Sequence, residues 1–515
     1  MGKGLEILPT MVLNFNLLDL EVSYQGLLQV AAILVIGYLV LTAIYELYFS
    51  PLSKIPGPWY AAVSRLWLIY RSLRGGVIFT AYDLHKQYGP YVRMSPNEIS
   101  VAEIESVRKI HAPSDPYEKA GFYKTIGKGF KTIFVLTDHE EYKHRLKALG
   151  GGFAAMNLAL LEPVIRKHVN TCVSKLKQEL DNGRNPDVFL WVQFMSTDII
   201  GEISFGKDFG MLESETINPL IRDAMTYLAL LAMRAFVPLM QLLEPLLSHI
   251  PHSGIQRIFG SEQRILKYSN NAILSLVRDS QDCKDEEVRP NLFSKMLRNL
   301  DNPKCRYKMT MEEIRHDSFG FILGGSDTVT ITGSFIIWAI LRHIEVRKKL
   351  EAEFQSLGVG DITDKKLQTL PFLKCVIQEG VRMYSAAQFY LPRAVPGTGR
   401  KLGPYFLPGG VEVITPIYTI QRNSDIFPEP HVFKPERWMN ATDEMNDAII
   451  AFGGSSRGKN LSMMEMRLLI AVLLTEYPEV DLAESCTDES MEIVEFLCIK
   501  PRGGKCELKK KKIIE

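Results

Sequence analysis

Leu27–Tyr45 is apolar apart from Gln29, and its Gly37, Tyr38 and Thr42 are residues a bilayer tolerates. A run of this length spans membrane hydrocarbon as a helix. Backbone in lipid has to satisfy its own N–H and C=O groups, which leaves the helix as the available form. The chain is thereby divided into residues 1–26, a transmembrane helix over 27–45, and a long remainder on one side of the membrane. A cleaved leader would have a shorter apolar part and a small-x-small site after it, whereas Tyr45-Glu46-Leu47-Tyr48-Phe49 follows here. Lys3 is the basic residue before the run, and Lys54, Arg65, Arg71 and Arg74 come after it. Positive charge stays on the cytosolic side, so the remainder is expected in the cytosol.

Residues 46–58 read as a stiff linker, because Pro51, Pro56 and Pro58 fix φ and push their predecessors out of the α region. The chain of 515 residues is long enough for a large core. Lys+Arg number 60 against 59 Asp+Glu, without the basic excess of a nucleic-acid binder. The cysteines (172, 283, 305, 375, 486, 498 and 506) are scattered, odd in number and free of CxxC spacing. That pattern indicates neither a disulfide framework nor a zinc site, and it suits a reducing compartment.

Tyr88–Ile99 reads as a turn followed by a β-hairpin. Leu160–Ser280 has helical periodicity, with a proline at 238 that ends or kinks a helix inside the apolar Tyr227–Leu243. Asp279–Pro290 is a charged loop. Met311–His343 reads as one long helix that carries Gly324-Gly325-Ser326-Asp327-Thr328. Two glycines inside a helix make sense where something lies close against the backbone. Gly324 and Thr328 share a face, four residues apart. Phe372–Tyr384 is a further helix, with Glu379 and Arg382 one turn apart on one face. Ala451–Arg467 begins as a Gly/Ser-rich loop and becomes an amphipathic helix near Leu461. Its small residues let backbone approach a flat, bulky object, and Arg457 offers that object a fixed cation.

Taken in order, these stretches resemble the cytochrome P450 family over residues 27–508. The segments are the anchor, Ile-Pro-Gly-Pro, Tyr-Gly-Pro-x-Val-Arg at 88–93, Gly-Gly-x-Asp-Thr, Glu-x-x-Arg, Pro-Glu-Arg-Trp at 435–438 and Phe-Gly-Gly-x-x-Arg at 452–457. The resemblance implies a mainly α fold, a large helical domain with a small β-rich region over 59–508, behind an N-terminal transmembrane helix. A basic tail, 509–515, would follow. It also implies haem b, a small-molecule substrate, an NADPH-cytochrome P450 reductase, and a single-pass place in the endoplasmic reticulum membrane. Nucleic acid is not an expected partner. By the same resemblance Asp327 and Thr328 serve oxygen activation. Gly324, Gly325, Arg393, Phe452 and Arg457 lie against haem, with Arg145 as a further propionate candidate. Glu379, Arg382 and Arg437 form the structural cluster.

The chain departs from the family pattern at the centre of the haem loop. The Cys that supplies the axial thiolate should follow Gly458, and Lys459 stands there. A three-residue gap between Gly458 and Lys459 accounts for this, and a gap just before Gly458 does so equally. Ser455 replaces a Gly of the family pattern. In the family's helix C, Tyr142 takes the Trp place and Leu146 the Arg place, with Arg145 and Lys147 beside it and Gly150–Gly152 after it. Two functional readings follow. One is a P450-fold protein that is inactive as written, because no thiolate reaches the iron. The other is an active haem-thiolate monooxygenase whose gene model has lost three residues. Ser385–Tyr390 is read as the substrate-facing strip, suited to a mid-sized, partly aromatic or polycyclic molecule. The N-terminal third resembles fungal secondary-metabolism P450s, among them the clavine oxidases of ergot-alkaloid pathways.

Overall fold

In a computed structural model, the described residues are 24–112, 117–128, 130–149, 155–237, 239–282, 293, 296–297, 300, 307–358, 362–388, 391–452 and 458–511. Helices dominate. α1 is Tyr24–Ile44, α2 Trp59–Val63, α3 Leu66–Arg74, α4 Val77–Tyr88, α5 Ile104–Ile110, α6 Gly121–Ile126 and α7 His139–Leu149. α8 is Ala155–Asp181, α9 Val188–Phe205, α10 Met211–Ser214, α11 Pro219–Phe236, α12 Met240–Leu247 and α13 Ser253–Asp282. The C-terminal half adds α14 Met311–Arg342, α15 Ile344–Gln355, α16 Asp364–Leu367, α17 Pro371–Tyr384, α18 Ile417–Ile420, α19 Asp443–Asp447 and α20 Lys459–Glu476.

A five-stranded sheet has the order β1-β2-β7-β4-β3, with β1 at Tyr91–Ser95, β2 at Glu98–Val101, β3 at Glu118–Lys119, β4 at Arg393–Ala394 and β7 at Glu412–Ile414. The remaining strands pair as antiparallel twos: β5 (Arg400–Leu402) with β6 (Tyr405–Leu407), β9 (Ile493–Phe496) with β10 (Cys498–Pro501), and β8 (Val480–Leu482) with β11 (Leu508–Lys510).

α1 stands clear of the rest of the protein, with no buried residue. A π-helical turn, Tyr45–Phe49, carries it on to Ser50. The helix runs beyond 27–45 at both ends, from Tyr24 and, through the π-helical turn, to Phe49. That linker is tied down. Arg93 on β1 is buried and donates to the Glu46 carbonyl at 2.7 Å, the Glu46 carboxylate at 2.5 Å and the Pro96 carbonyl at 2.8 Å. The Arg93 N–H donates to Pro56 O at 2.8 Å. Gly57 is required by this approach: a Cβ there would sit 2.7 Å from Arg93 O.

α14 is the axis of the core. Thr310 caps it, accepting from Glu313 N at 3.2 Å while Glu313 accepts from Thr310 N at 2.6 Å, a reciprocal capping box. Its most extensive contact is with α9, and α17 and α20 close its other sides. Phe335 of α14 stacks on Tyr384 of α17 with ring centroids 4.9 Å apart. α9 and α14 are also long and apolar enough to cross a membrane, but 83% and 56% of their apolar windows are buried inside the protein against 0% for the N-terminal helix. They are core helices.

Lys509 and Lys510 are not a tail. They form β11, whose backbone pairs with Val480–Leu482, and their amines meet Glu484 at 2.7 Å and Asp181 at 3.0 Å. The charged segment after α13, the proline at 238, Gly150–Gly152 and the last four residues lie outside the described residues. α11 ends at Phe236, just ahead of that proline.

Candidate functional site

Gly324, Gly325, Asp327 and Thr328 lie on one continuous helix, α14. The two glycines do different work. A Cβ on Gly325 would come within 2.8 Å of Ile200, so this glycine lets α9 pack close. A Cβ on Gly324 would meet nothing within 4 Å, and open space flanks the helix there. Thr328 stands on that same side and donates its hydroxyl to the Gly324 carbonyl at 2.7 Å. Asp327 lies deep but keeps part of its surface accessible. Burial pushes its carboxyl up to about 6, opposed by the Gln193 amide, which donates to it at 3.4 Å. It is therefore a group that exchanges a proton near neutrality, the property a proton-delivering residue needs.

A second set of groups gathers at the sheet. In the β3–β4 pair Lys119 lies directly opposite Arg393. Arg393 donates to the Tyr123 hydroxyl at 3.1 Å. Lys119 donates to the carbonyls of Ile133 at 2.9 Å and Phe134 at 2.7 Å, with its amine 4.8 Å from the centroid of Tyr142. Burial and the adjacent Arg393 lower the Lys119 amine to about 7. The same two causes bring His111 down to about 4. Neither Arg393 nor Lys119 forms an ion pair among the described residues. The charge of Asp317 favours the Lys119 ammonium from beyond ion-pair distance, and a carboxylate-bearing group set against Lys119 and Arg393 would add to it. The sequence reading reached Arg393 and missed Lys119 and Tyr123. No local signal marks them, because β3 and β4 meet across most of the chain.

Arg145 is buried and committed elsewhere. It reaches Glu313 at 3.0 Å, Asp317 at 3.4 Å, Glu141 at 3.2 Å and the Lys131 carbonyl at 2.7 Å. None of these partners is shared with Arg393. Burial pushes the Asp317 carboxyl up to about 6 against the pull of Arg145. The structure thus brings Arg145 to the first turns of α14.

Glu379, Arg382 and Arg437 come together. Arg382 holds both Glu379 oxygens at 2.8 Å, and Arg437 reaches the same carboxylate at 3.1 Å. Lys434 N–H and the Trp438 indole, each at 2.9 Å, complete its shell. Burial alone would raise the Glu379 carboxyl, but Arg382, the Lys434 N–H and Arg437 hold it below the usual range.

Arg457 and residues 453–456 lie outside the described residues, and the sequence places no cysteine among them. Phe452 packs against the core, and α20 starts at Lys459, whose amine lies over the Phe452 ring at 5.8 Å while the side chain is exposed. No described cysteine stands at this helix start. Cys172 donates to Trp191 O, Cys375 lies 3.5 Å from Met439 Sδ, Cys486 and Cys506 face each other, and Cys498 sits in the β9–β10 hairpin, near enough to Asp327 for its charge to be felt. Glu465, further along α20, is fully enclosed, and burial raises its carboxyl well above the ordinary value. Ser385, Ala386 and Gln388 are buried, the Gln388 amide donating to Met383 O at 2.7 Å, and residues 389–390 lie outside the described residues.

The capped helix α14 carries a hydroxyl on an open flank, and the Glu379–Arg382–Arg437 cluster lies on elements packed beside it. The chain matches the family model for cytochrome P450 over residues 56–505. It is 33% identical to the cytochrome P450 monooxygenase tazI of Aspergillus terreus, over 92% of this chain and 97% of that protein. It is 32% identical to the cytochrome P450 monooxygenase cypX of Dothistroma septosporum, over 94% and 95% of the two chains. Identity is also 32% to the cytochrome P450 monooxygenase stcB of Emericella nidulans, over 90% of each. The chain belongs to the cytochrome P450 family, whose cofactor is haem. The residues present fit that group on two sides, the open flank of α14 and the cation pair at Arg393 and Lys119. Among the described residues no cysteine stands at the start of α20, and the class uses a thiolate as axial ligand.

Proposed function

We propose that this chain is a P450 of fungal secondary metabolism that, as written, does not carry out monooxygenation. The observation that carries this reading is the start of α20 on Lys459, directly after Gly458, with no cysteine at that end of the helix. Lys459 is no substitute. An amine must first lose a proton, against an ordinary pKa near about 10.4, and it lacks the electron push of a thiolate. Its side chain also lies exposed over Phe452.

The setting is a single-pass anchor in the endoplasmic reticulum, with the large domain in the cytosol. α1 supports this, as do Leu66 and Tyr70 on α3 and Leu242 and Leu246 on α12, apolar residues left exposed. Both α3 and α12 pack against α11. The substrate class is a mid-sized aromatic or polycyclic molecule of the indole-alkaloid kind, and a NADPH-cytochrome P450 reductase is the electron donor for any active form.

A second reading has one observation in its favour. The groups flanking the missing ligand are intact: the Thr328–Gly324 hydrogen bond, the unpaired Arg393 and the Glu379 cluster. An active monooxygenase with three more residues in the loop fits that retention. Sequencing the transcript across Gly458 and Lys459 separates the two. The protein test is the carbon-monoxide difference spectrum. The chain as written is expected to give no thiolate band. Insertion of Cys-Ile-Gly between Gly458 and Lys459 is expected to produce one, since it re-registers the helix as well as adding sulfur. Lys459→Cys alone is expected to fail because the loop stays short. A thiolate band from the unmodified chain would overturn the inactive reading.

A further inference from the structure

Two cysteines that the P450 framework does not use face each other at the C-terminal edge of the fold. The Cys486 and Cys506 sulfurs are 3.6 Å apart. Each is held by backbone. Cys486 N donates to Ala483 O at 3.0 Å, and Cys506 bridges to the start of α9, its N–H donating to Asp187 at 2.9 Å and its carbonyl accepting from Val188 N at 2.8 Å. The two differ in access: Cys486 retains 8% of its surface and Cys506 none.

We propose that Cys486 and Cys506 form a redox pair, in which a hydroperoxide oxidises the outer Cys486 and the inner Cys506 resolves it to a disulfide. The Cys486 thiolate attacks one peroxide oxygen; an S–O bond forms, the O–O bond breaks, and an alcohol or water leaves with the thiol proton. Cys506 sulfur then attacks Cys486 sulfur; the S–S bond forms, the S–O bond breaks, and hydroxide leaves as water with the Cys506 proton. Two thiols and one hydroperoxide give one disulfide, one alcohol (or water) and one water, and the sulfurs lose the two electrons that the peroxide gains.

The local chemistry favours this order. The thiolate is the nucleophile in such exchange. The Cys506 thiol, as hydrogen-bond partner, lowers Cys486, while the same contact and burial raise Cys506. The other buried thiols have no sulfur of a second cysteine within reach among the described residues. Burial raises Cys172, and it pushes Cys498 up to about 12. The bridge would close residues 486–506 into a loop that contains the β9–β10 hairpin. That hairpin touches two other parts of the domain, through Ile499 N to Ala386 O at 3.1 Å and through Glu495, which accepts from Gly76 and Ile78 N–H at the start of α4.

The test uses the full chain in detergent, treated with hydrogen peroxide, alkylated and digested without reductant. Trypsin separates the two cysteines at Arg502 and Lys505. The expected product is a peptide pair joined through Cys486 and Cys506 that dithiothreitol dissolves. In Cys506→Ser, dimedone is expected to label Cys486; in Cys486→Ser it is expected to leave Cys506 unlabelled. Recovery of both cysteines in alkylated form from the peroxide-treated wild type overturns the proposal without recourse to any variant. A sulfenic adduct confined to Cys506 overturns the assigned order.

Discussion

Arg382 closes a two-pronged ion pair on Glu379, with both contacts at 2.8 Å and neither side chain exposed. Its Nη1 donates to the Gln421 and Pro430 carbonyls, each at 2.7 Å, and its Nη2 also to the Val432 carbonyl at 3.4 Å. The pair therefore ties α17 to the chain that leads from α18 to Trp438. Breaking a buried pair from one side leaves the other charge stranded, at about 3–5 kcal/mol. Arg382→Ala should lose that much and fail to accumulate as folded protein. Arg437→Ala should cost less, because Arg437 makes one contact to Glu379, at 3.1 Å, and the carboxylate keeps Arg382, the Lys434 N–H and the Trp438 indole. Expression yield and thermal melting of the two variants check the order. Equal, small losses would count against the cluster as a structural lock.

The anchor gives a separate test. Arg93 fixes Glu46 at the end of the N-terminal apolar helix against β1, so the segment from Ser50 to Pro58 is held at both ends. Arg93→Ala should destabilise the domain by on the order of 2 kcal/mol, since Glu46 can turn to water while the Glu46 and Pro96 carbonyls lose a charged donor. It should also expose the exposed Lys54 to faster trypsin cleavage in intact microsomes. An unchanged cleavage rate would mean that the linker is held by its prolines alone.

Legibility in the sequence followed the range of each contact. The N-terminal apolar helix, the Pro-rich linker, the long α14 and the Glu379–Arg382 pair rest on patterns within a few residues of each other, and these could be read directly. Lys119 could not, because its meaning depends on Arg393, which β-pairing brings from far along the chain. β11 escaped for the same reason: Leu508–Lys510 looks like a charged end until Val480–Leu482 is set beside it. Arg145 stood next to the family's Arg place, yet its direction is set by Glu313 and Asp317 on a helix that the local sequence does not show.

Asp327 predicts a pH effect with a definite sign. Burial raises its folded-state pKa to about 6 from the ordinary carboxylate value near 3.8. Between those values the folded protein binds more protons than the unfolded chain, so stability falls as pH rises through the interval and levels off above it. Asp327→Asn keeps a partner for Gln193 and removes the ionisation. At neutral pH it should be more stable than the wild type by up to about 3 kcal/mol, and the advantage should vanish near pH 4. Melting curves of the pair across this range read the difference directly, because Glu98, Asp317 and Glu495, which burial also raises, contribute equally to both proteins. A gap that does not change with pH would show that Asp327 is paired or solvated.

Lys119 behaves in the opposite sense and reports on any anion set against it. Burial and Arg393 lower its folded-state pKa to about 7, from an ordinary 10.5. Between these values the unfolded chain binds more protons than the folded one, so the haem-free protein should gain stability as pH rises from about 7 towards 10. Lys119→Met should flatten that slope, although it also leaves the Ile133 and Phe134 carbonyls unpaired and so lowers the whole curve. A bound anion should flatten it too, because a negative charge beside Arg393 and Lys119 returns the amine to its charged form. The comparison is made on the chain carrying the Cys-Ile-Gly insertion, with and without haem, by melting at each pH. Faster haem loss from Lys119→Met to a competing apoprotein should accompany it. If haem leaves the slope of the wild-type curve unchanged, the carboxylates of the cofactor do not lie against Lys119, and the cation pair serves the sheet alone.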